Sequence, residues 1–244
     1  MYLDERLSIL PAPLKRRVYS AVWNPDKWNR QALVGGLADG WAEGLDVGGR
    51  ASEMDAICAK TRFISANVRP PADLLLDSAR ETLPFADASF DVVTSSDVLE
   101  HIPRERRASH IAELARVARH RVVACFPFGT EDHLKAEKRL ASSLEEKGIG
   151  IPGFLVEHLE YGLPEPDQLE GLFGDIGARS VEFRYQGNYI EGDRMLVAAL
   201  TMRFRFDPRA ARDFLAAARR VRAQSGLSDR PDPATARVFA VVDL

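Results

Sequence analysis

The chain has 244 residues, of which 45% are hydrophobic and 28% charged, and its formal net charge is −3. This composition is ordinary for a globular protein, and the acidic balance argues against a general nucleic-acid binder, which would be clearly basic. Cys58 and Cys125 lack the spacing of a disulfide framework or a metal site, so buried free thiols are expected and no metal ligand is assigned. No apolar run approaches the ~20 residues of a membrane span. Because the N-terminus carries charges where a signal peptide is apolar, a cytoplasmic protein with no membrane or nucleic-acid partner is expected.

Strand and helix patterns alternate along the chain after a helical N-terminal segment. Strands are predicted over residues 41–47, 62–67, 89–95, 121–126, 180–185 and 237–243, with a short apolar run at 72–76. Helices are predicted over 52–59, 104–118, 131–147, 166–173 and 208–224, the last with Asp207 as its N-cap, while 194–202 fits either helix or strand. The succession of strand–helix–strand units predicts an α/β fold with a parallel sheet and helices on both faces. We expect a single domain over 1–244, with 1–40 as a helical cap and 190–235 as a helical insertion before the last strand.

Polar and turn residues follow the predicted strands at their carboxyl ends. They are Asp46, Gly48 and Gly49 after the first strand, Asn67 after the second, Asp77 after the apolar run, Ser95, Ser96, Asp97, Glu100 and His101 after the next strand, and Pro127, Phe128 and Gly129 after the last of the first group. Ligands of open α/β sheets bind at these ends, so the functional site is expected at this edge.

The segment LDVGGRASE after the first strand is only partly a nucleotide loop. A dinucleotide fingerprint needs two further spaced glycines, but Arg50 and Ser52 stand in the loop instead. A phosphate-binding P-loop is excluded as well, because no Gly-Lys-Ser/Thr follows. The loop therefore predicts a ligand that has no pyrophosphate.

Three segments carry a resemblance to a known family: LDVGGR, LPFADASFDVVTSSDVLEHI and VVACFPFG. Over about residues 41–129 the chain resembles the class I S-adenosylmethionine-dependent methyltransferases. The resemblance implies a Rossmann-like three-layer sandwich with a mostly parallel seven-stranded sheet. It also implies an enzyme whose cofactor is S-adenosyl-L-methionine.

By position, the resemblance assigns cofactor-binding residues along the strand ends. Asp46, Gly48 and Gly49 form the loop at the cofactor's methionine end, Asn67 stands where the family has the acid for the ribose hydroxyls, Asp77 meets the adenine amino group, Ser78 supplies a nearby backbone contact, and Ser95, Ser96 and His101 line the cleft. Arg50 either pairs with the cofactor's carboxylate or obstructs that end of the loop, and both alternatives stay open.

Methyl transfer to an oxygen or nitrogen acceptor also calls for a base, and histidine titrates in the right range. His133 and His158 are the catalytic candidates, whereas His110 and His120 are expected at a helix surface or end. Phe154 is a candidate wall of the acceptor pocket, with plain core as the alternative.

The acceptor itself has no clear motif. By similarity of the segment after residue 127, a small-molecule or glycan acceptor methylated on oxygen is expected. The alternative is a non-catalytic relative that serves as a binding or scaffold partner, favoured by the replaced glycines and by Asn67. The arginine-rich stretch 203–222 fits either an anion or partner site or a solvated helix face, and a homodimer is left open.

Overall fold

The computed structural model describes residues 11–50, 52–77, 82–205 and 207–244. Its helices are α1 Ala12–Val22, α2 Pro25–Ala38, α3 Glu53–Ile57, α4 Arg107–Val117, α5 Glu131–Glu146, α6 Gly153–Tyr161, α7 Leu169–Phe173, α8 Tyr189–Arg205 and α9 Pro208–Ala223. Its strands are β1 Glu43–Val47, β2 Arg62–Asn67, β3 Leu74–Leu75, β4 Phe90–Ser96, β5 Ala118–Pro127, β6 Ser180–Asn188 and β7 Thr235–Asp243. Short 3-10 turns occupy Leu99–His101, Arg104–Arg106 and Pro166–Gln168.

The strands form one sheet in the order β3-β2-β1-β4-β5-β7-β6. Strands β1 to β5 pair in parallel, and β7 runs antiparallel to both of its neighbours. The mostly parallel seven-stranded sheet is therefore confirmed. The chain order reverses between β1 and β4, where Val47 pairs with Ala66 on one side and Ser95 on the other. The ends of β1, β2 and β4 thus meet at one topological switch point, the place where open α/β sheets bind ligands.

The central strands are apolar on both faces because helices cover both sides of the sheet. Val92 of β4 and Val123 of β5 pack in a cluster with Val34 of α2. The next residues along the same strands, Val93 and Ala124, pack instead in the cluster that contains α4 and α7. Each large aliphatic side chain buried in this way contributes roughly 1.5–3 kcal/mol relative to exposure. The result is the expected three-layer sandwich, and both cysteines are buried free thiols as predicted.

The main departure from the predicted elements is α6, which the sequence analysis does not assign. Its apolar residues lie on every side of the helix: Leu155 is buried, whereas Phe154, Val156 and Leu159 are exposed. Without a one-sided apolar stripe, the segment shows no helical periodicity. The ambiguous stretch 194–202 belongs to α8, and the N-cap prediction at Asp207 is confirmed, because its side chain accepts from the Arg209 amide at 2.8 Å.

Asp97 joins three elements directly beyond the end of β4. Arg30 of α2 donates a hydrogen bond to its carboxylate, and Arg237 of β7 contacts the same group at 3.3 and 3.4 Å. Arg237 also donates to Asp26 of α2 at 2.7 Å. Burial alone would raise the pKa of Asp97, but the two guanidinium groups outweigh it and lower that pKa to about 2. We call this group of four side chains the Asp97 network.

Replacing Arg237 with Met should destabilise the fold at pH 7 by about 3 kcal/mol, because the carboxylates of Asp97 and Asp26 then lose the Arg237 guanidinium as a partner in a largely buried site. Urea denaturation measures the change. The loss should shrink as the pH falls below about 4 towards 2, since the depressed pKa of Asp97 makes the network's stabilisation disappear when the carboxylate is protonated.

Arg62→Met is the matched control for this substitution. The Arg62 side chain is 79% exposed and 3.7 Å from Glu43, against 14% exposed for Arg237. Its loss should change the free energy of unfolding by less than about 0.5 kcal/mol. Equal effects of the two substitutions would contradict the importance assigned to the Asp97 network.

Candidate active site

A cavity of about 1090 Å³ opens at the switch point. The predicted site residues that line it are Gly48, Arg50, Asn67, Asp77 and His101. Small-molecule pockets usually measure about 300–1,000 Å³, so this cavity is large enough for a cofactor together with a small second ligand. These residues, predicted from the strand ends, therefore share one cavity at this edge of the sheet.

Two glycines allow the loop after β1 to pass closely over its surroundings. Gly48 has φ +85°, and a Cβ there would lie 2.3 Å from Val98 Cγ2. A Cβ on Gly49 would lie only 1.7 Å from Asp46 Oδ2. The second glycine of the loop is thus required by the Asp46 carboxylate beneath it, while Arg50 follows at the cavity wall.

Asp46 is a buried carboxylate with one unused oxygen. Thr94 Oγ1 donates to Oδ1 at 2.8 Å, whereas Oδ2 has no hydrogen-bond partner among the described residues. Burial, assisted by the charge of nearby Glu53, raises the pKa of Asp46 to about 7 in spite of the Thr94 bond. A buried acceptor without a partner is costly. A cationic group of a ligand bound over the loop would stabilise it, which fits the methionine end of the expected cofactor.

Asn67 braces the glycine loop. Its Nδ2 donates to the carbonyl oxygens of Gly48 and Gly49 at 2.6 and 3.0 Å. Its Oδ1 accepts from the Arg69 amide at 3.1 Å. The amide is therefore engaged inside the protein at the position where the resemblance places the ribose acid. An amide suits this position because a carboxylate has no proton to donate to the two carbonyls.

The opposite wall of the cavity is formed by the turn Leu99–His101 and α6. His101 Nδ1 lies 2.6 Å from Glu157 Oε2, and the ring of His101 is centred 5.1 Å from that of His158. His158 Nδ1 donates to Glu137 Oε1 of α5 at 2.7 Å. Burial, assisted by the neighbouring His158, lowers the pKa of His101. Two imidazoles, each against a carboxylate, thus stand together beside the cavity.

Glu100 lies next to this pair and is only 1% exposed. Its Oε2 finds no hydrogen-bond partner in the described part of the chain. Burial, followed by the negative charge of Asp97, raises the pKa of Glu100 well above its ordinary value. Sequence reasoning noted Glu100 only as a strand-end residue and missed Glu137, which reaches the site solely because α5 packs against α6.

The remaining predicted residues that the structure describes do not line the cavity. The Oγ atoms of Ser95 and Ser96 are buried and have no partner among the residues described, and neither serine lines the cavity. His133 is also buried away from the cavity lining, where its Nδ1 donates to the Phe128 carbonyl at 2.9 Å and its ring stacks on Tyr189. Ser78 lies outside the described residues.

Three further side chains, two imidazoles and one phenyl ring, have clear positions. His110 lies on α4 as a half-buried residue, in line with the expected helix position, and it lines the cavity; burial lowers its pKa to about 4. His120 belongs to β5 and stacks on Trp41 at 4.8 Å, which corrects its assignment to a helix end. Phe154 of α6 lines the cavity as the pocket-wall hypothesis requires.

A second cavity of about 970 Å³ lies between α5, α8 and α9, away from the strand ends. Arg194 and Arg220 line it, and both contact Glu191, at 2.6 and 2.5 Å. Asp193 also lines it, and burial raises the pKa of this carboxyl to about 7. Arg194 and Arg220 therefore already share an acidic neighbour. None of the described helices is long and apolar enough to cross a membrane.

Comparison with known proteins agrees with this geometry. Residues 45–126 match the model of a methyltransferase domain. No curated protein matches the chain. Among solved structures, an S-adenosylmethionine-dependent methyltransferase from Archaeoglobus fulgidus has a TM-score of 0.51 at 12% identity, covering 99% of this chain and 97% of that one. The phosphoethanolamine N-methyltransferase 2 of Haemonchus contortus in complex with S-adenosyl-L-methionine has a TM-score of 0.52 at 14% identity, covering 100% of this chain and 60% of that one.

Residues 45–126 therefore match a methyltransferase domain, and the chain has the Rossmann-like fold of the class I S-adenosylmethionine-dependent methyltransferases. Its cofactor is S-adenosyl-L-methionine. The buried Asp46 oxygen, the close backbone of Gly48 and the large cavity all fit that cofactor.

An Asn67→Asp substitution tests the bracing role. If Asn67 holds the loop through its two donated bonds, the aspartate should weaken S-adenosylmethionine binding by about tenfold or more, because a carboxylate then faces two carbonyl oxygens. Isothermal titration calorimetry measures the dissociation constant. Tighter binding by the aspartate variant would show that position 67 acts instead through a direct ribose contact.

A pH titration tests the electrostatic role of Asp46. Because its pKa is raised to about 7, the ionised form that attracts the cationic cofactor grows between pH 6 and 8. Affinity for S-adenosylmethionine should therefore rise by about tenfold over that range, and Asp46→Asn should remove the dependence. Asp193→Asn is the control: its pKa is also raised to about 7, but it lies in the second cavity. An unchanged pH dependence in Asp46→Asn would contradict the assignment.

Proposed function

We propose that the protein transfers the methyl group of S-adenosylmethionine to a hydroxyl oxygen of a small metabolite or sugar. The observation that carries this proposal is the imidazole pair His101 and His158, each backed by a carboxylate, beside the cavity that the glycine loop also lines. A hydroxyl is a weak nucleophile until its proton is removed or shared, and such a polar wall serves that purpose.

On this proposal the loop after β1 holds the cofactor's methionine end and Asp77 lies towards its adenine, since both line the one cavity. When bound, the cofactor supplies an electrophilic methyl group on a sulfonium. The chain's own residues bind both partners and align them, and alignment alone supplies a large part of such a rate. His101 lines the cavity and His158 contacts the His101 ring. The acceptor's hydroxyl is therefore placed against these imidazoles, where its proton is removed.

His133 stays a predicted catalytic residue, but the proposal assigns it a smaller role than His158. Its Nδ1 donates to the Phe128 carbonyl, which leaves Nε2 as its available nitrogen. Because His158 contacts a cavity-lining imidazole and His133 does not line the cavity, the proposal gives the main role to His158.

Arg50 is proposed to bind the cofactor's carboxylate, because it lines the cavity beside Gly48 and a guanidinium suits a carboxylate. Arg50→Gly should therefore weaken S-adenosylmethionine binding by about tenfold or more, a loss of roughly 1.4 kcal/mol. 5′-Methylthioadenosine is the matched ligand, since it lacks the amino-acid end, and its affinity should be nearly unchanged. A tighter complex of the glycine variant with S-adenosylmethionine would mean that Arg50 obstructs the loop.

The acceptor class is tested with the intact protein and S-adenosylmethionine labelled in its methyl group. Panels of hydroxylated metabolites and sugars are compared with amines of matched size. Labelled ether products, strongly reduced in His158→Gln and retained in His120→Gln, are the expected result. Labelling confined to amines would replace the oxygen acceptor with a nitrogen one, the chemistry named for the Haemonchus neighbour.

A further inference from the structure

Glu100, His101 and His158 form a compact three-residue cluster, which we call the Glu-His-His cluster. One carboxylate oxygen of Glu100 and one ring nitrogen of each histidine lie within 4.8 Å of one another. Glu100 and His101 come from the turn after β4, whereas His158 comes from α6. No metal ligand is predicted from the sequence, because His158 is far along the chain from Glu100 and His101 and becomes their neighbour only through folding.

A carboxylate lies beside Nδ1 of each imidazole of the cluster, and at His158 the two form a hydrogen bond. His158 Nδ1 bonds Glu137 Oε1 at 2.7 Å, and His101 Nδ1 lies 2.6 Å from Glu157 Oε2. A proton held at Nδ1 leaves the lone pair of Nε2 available to a ligand. Metal-binding histidines have this arrangement, in which a carboxylate fixes the ring and makes it a better donor.

Glu100 supplies the independent observation that a ligand is needed. Its side chain is almost fully buried, and Oε2 has no hydrogen-bond partner within the described ranges. The two arginines nearby do not meet this need, because Arg30 and Arg237 direct their hydrogen bonds to Asp97 and Asp26. A cation between Glu100 and the two imidazoles would satisfy the buried oxygen.

We infer that the Glu-His-His cluster binds a divalent transition-metal ion at the acceptor side of the cavity. Two imidazoles and one carboxylate suit Zn²⁺, Mn²⁺, Fe²⁺ or Co²⁺ better than Mg²⁺ or Ca²⁺, which prefer all-oxygen ligands. Three protein ligands leave coordination positions open, as in catalytic metal sites. Since His101 lines the cavity, the open positions are available to an acceptor there.

The metal deepens the proposed function and rests on it: the acceptor is a compound whose hydroxyl oxygen binds the metal. A divalent ion lowers the pKa of an oxygen that it binds. The O–H bond breaks and its proton passes to water. The oxygen then uses a lone pair to form the O–C bond to the methyl carbon, as the C–S bond breaks and its electron pair stays on sulfur. His158 is in this account a metal ligand, and Glu137 and Glu157 are positioning residues.

Metal binding is tested without any acceptor. The protein is first freed of metal with a chelator and then titrated with Co²⁺, whose visible absorption reports coordination, and with Zn²⁺ by calorimetry. One ion per chain is expected. Glu100→Gln and His158→Ala should each raise the dissociation constant by at least about 100-fold, and Glu137→Gln by about tenfold. His120→Ala, which removes a histidine stacked on Trp41, should bind as the wild type does.

Thermal unfolding and S-adenosylmethionine affinity are measured on every variant to verify that each is folded. Absence of Co²⁺ bands in a protein that still binds S-adenosylmethionine overturns the metal site and leaves the methyl transfer intact. Binding that survives Glu100→Gln and His158→Ala places the ion elsewhere and overturns it too. If the proposed function fails instead, the metal titration still succeeds while no hydroxylated acceptor is labelled.

Discussion

The ion-pair network around Asp97 is the constraint on which the site depends. Asp97 stands at the carboxyl end of β4 with φ +51°, and guanidinium groups from α2 and β7 hold its carboxylate. Such buried pairs often contribute little net stability, because the desolvation cost offsets the attraction. Their geometric effect is what matters here. They fix the start of the turn that carries Glu100 and His101, and so position one wall of the cavity relative to the sheet.

The other wall is fixed by hydrogen bonds of a different kind. Asn67 ties the two carbonyls of the glycine loop, and Asp46 lies directly beneath Gly49. The loop is therefore held from the side and from below before any ligand arrives. Asp46 and Glu100 each carry a buried oxygen that has no hydrogen-bond partner among the described residues. Unsatisfied buried acceptors are rare in folded proteins and cluster where a ligand completes them.

Local sequence information was sufficient for most of the fold. The strand at Arg62–Asn67 has the predicted bounds, because the apolar run is sharply bordered by polar residues. Helix α5 ends within one residue of its predicted end, where glycine follows. In contrast, α6 has apolar residues on all sides and gave no periodic signal.

The sequence predicted the sheet edge at which the candidate site lies and several of the residues that line its cavity. The resemblance pointed to Gly48, Asp77 and His101, and these do share one cavity. The bracing bonds of Asn67 were not predictable, because they depend on where the neighbouring loop passes. The Glu137–His158 pair was hidden for a similar reason, since it forms only when α5 packs against α6.

The central claim is that S-adenosylmethionine binds at the switch point, between the glycine loop and the Glu-His-His cluster. A crystal structure of the protein with S-adenosylhomocysteine tests it most directly. The account predicts the amino-acid end over Gly48, the adenine beside Asp77 and the sulfur directed towards His101. Ligand density in the second cavity between α5, α8 and α9, with the switch point empty, would contradict it.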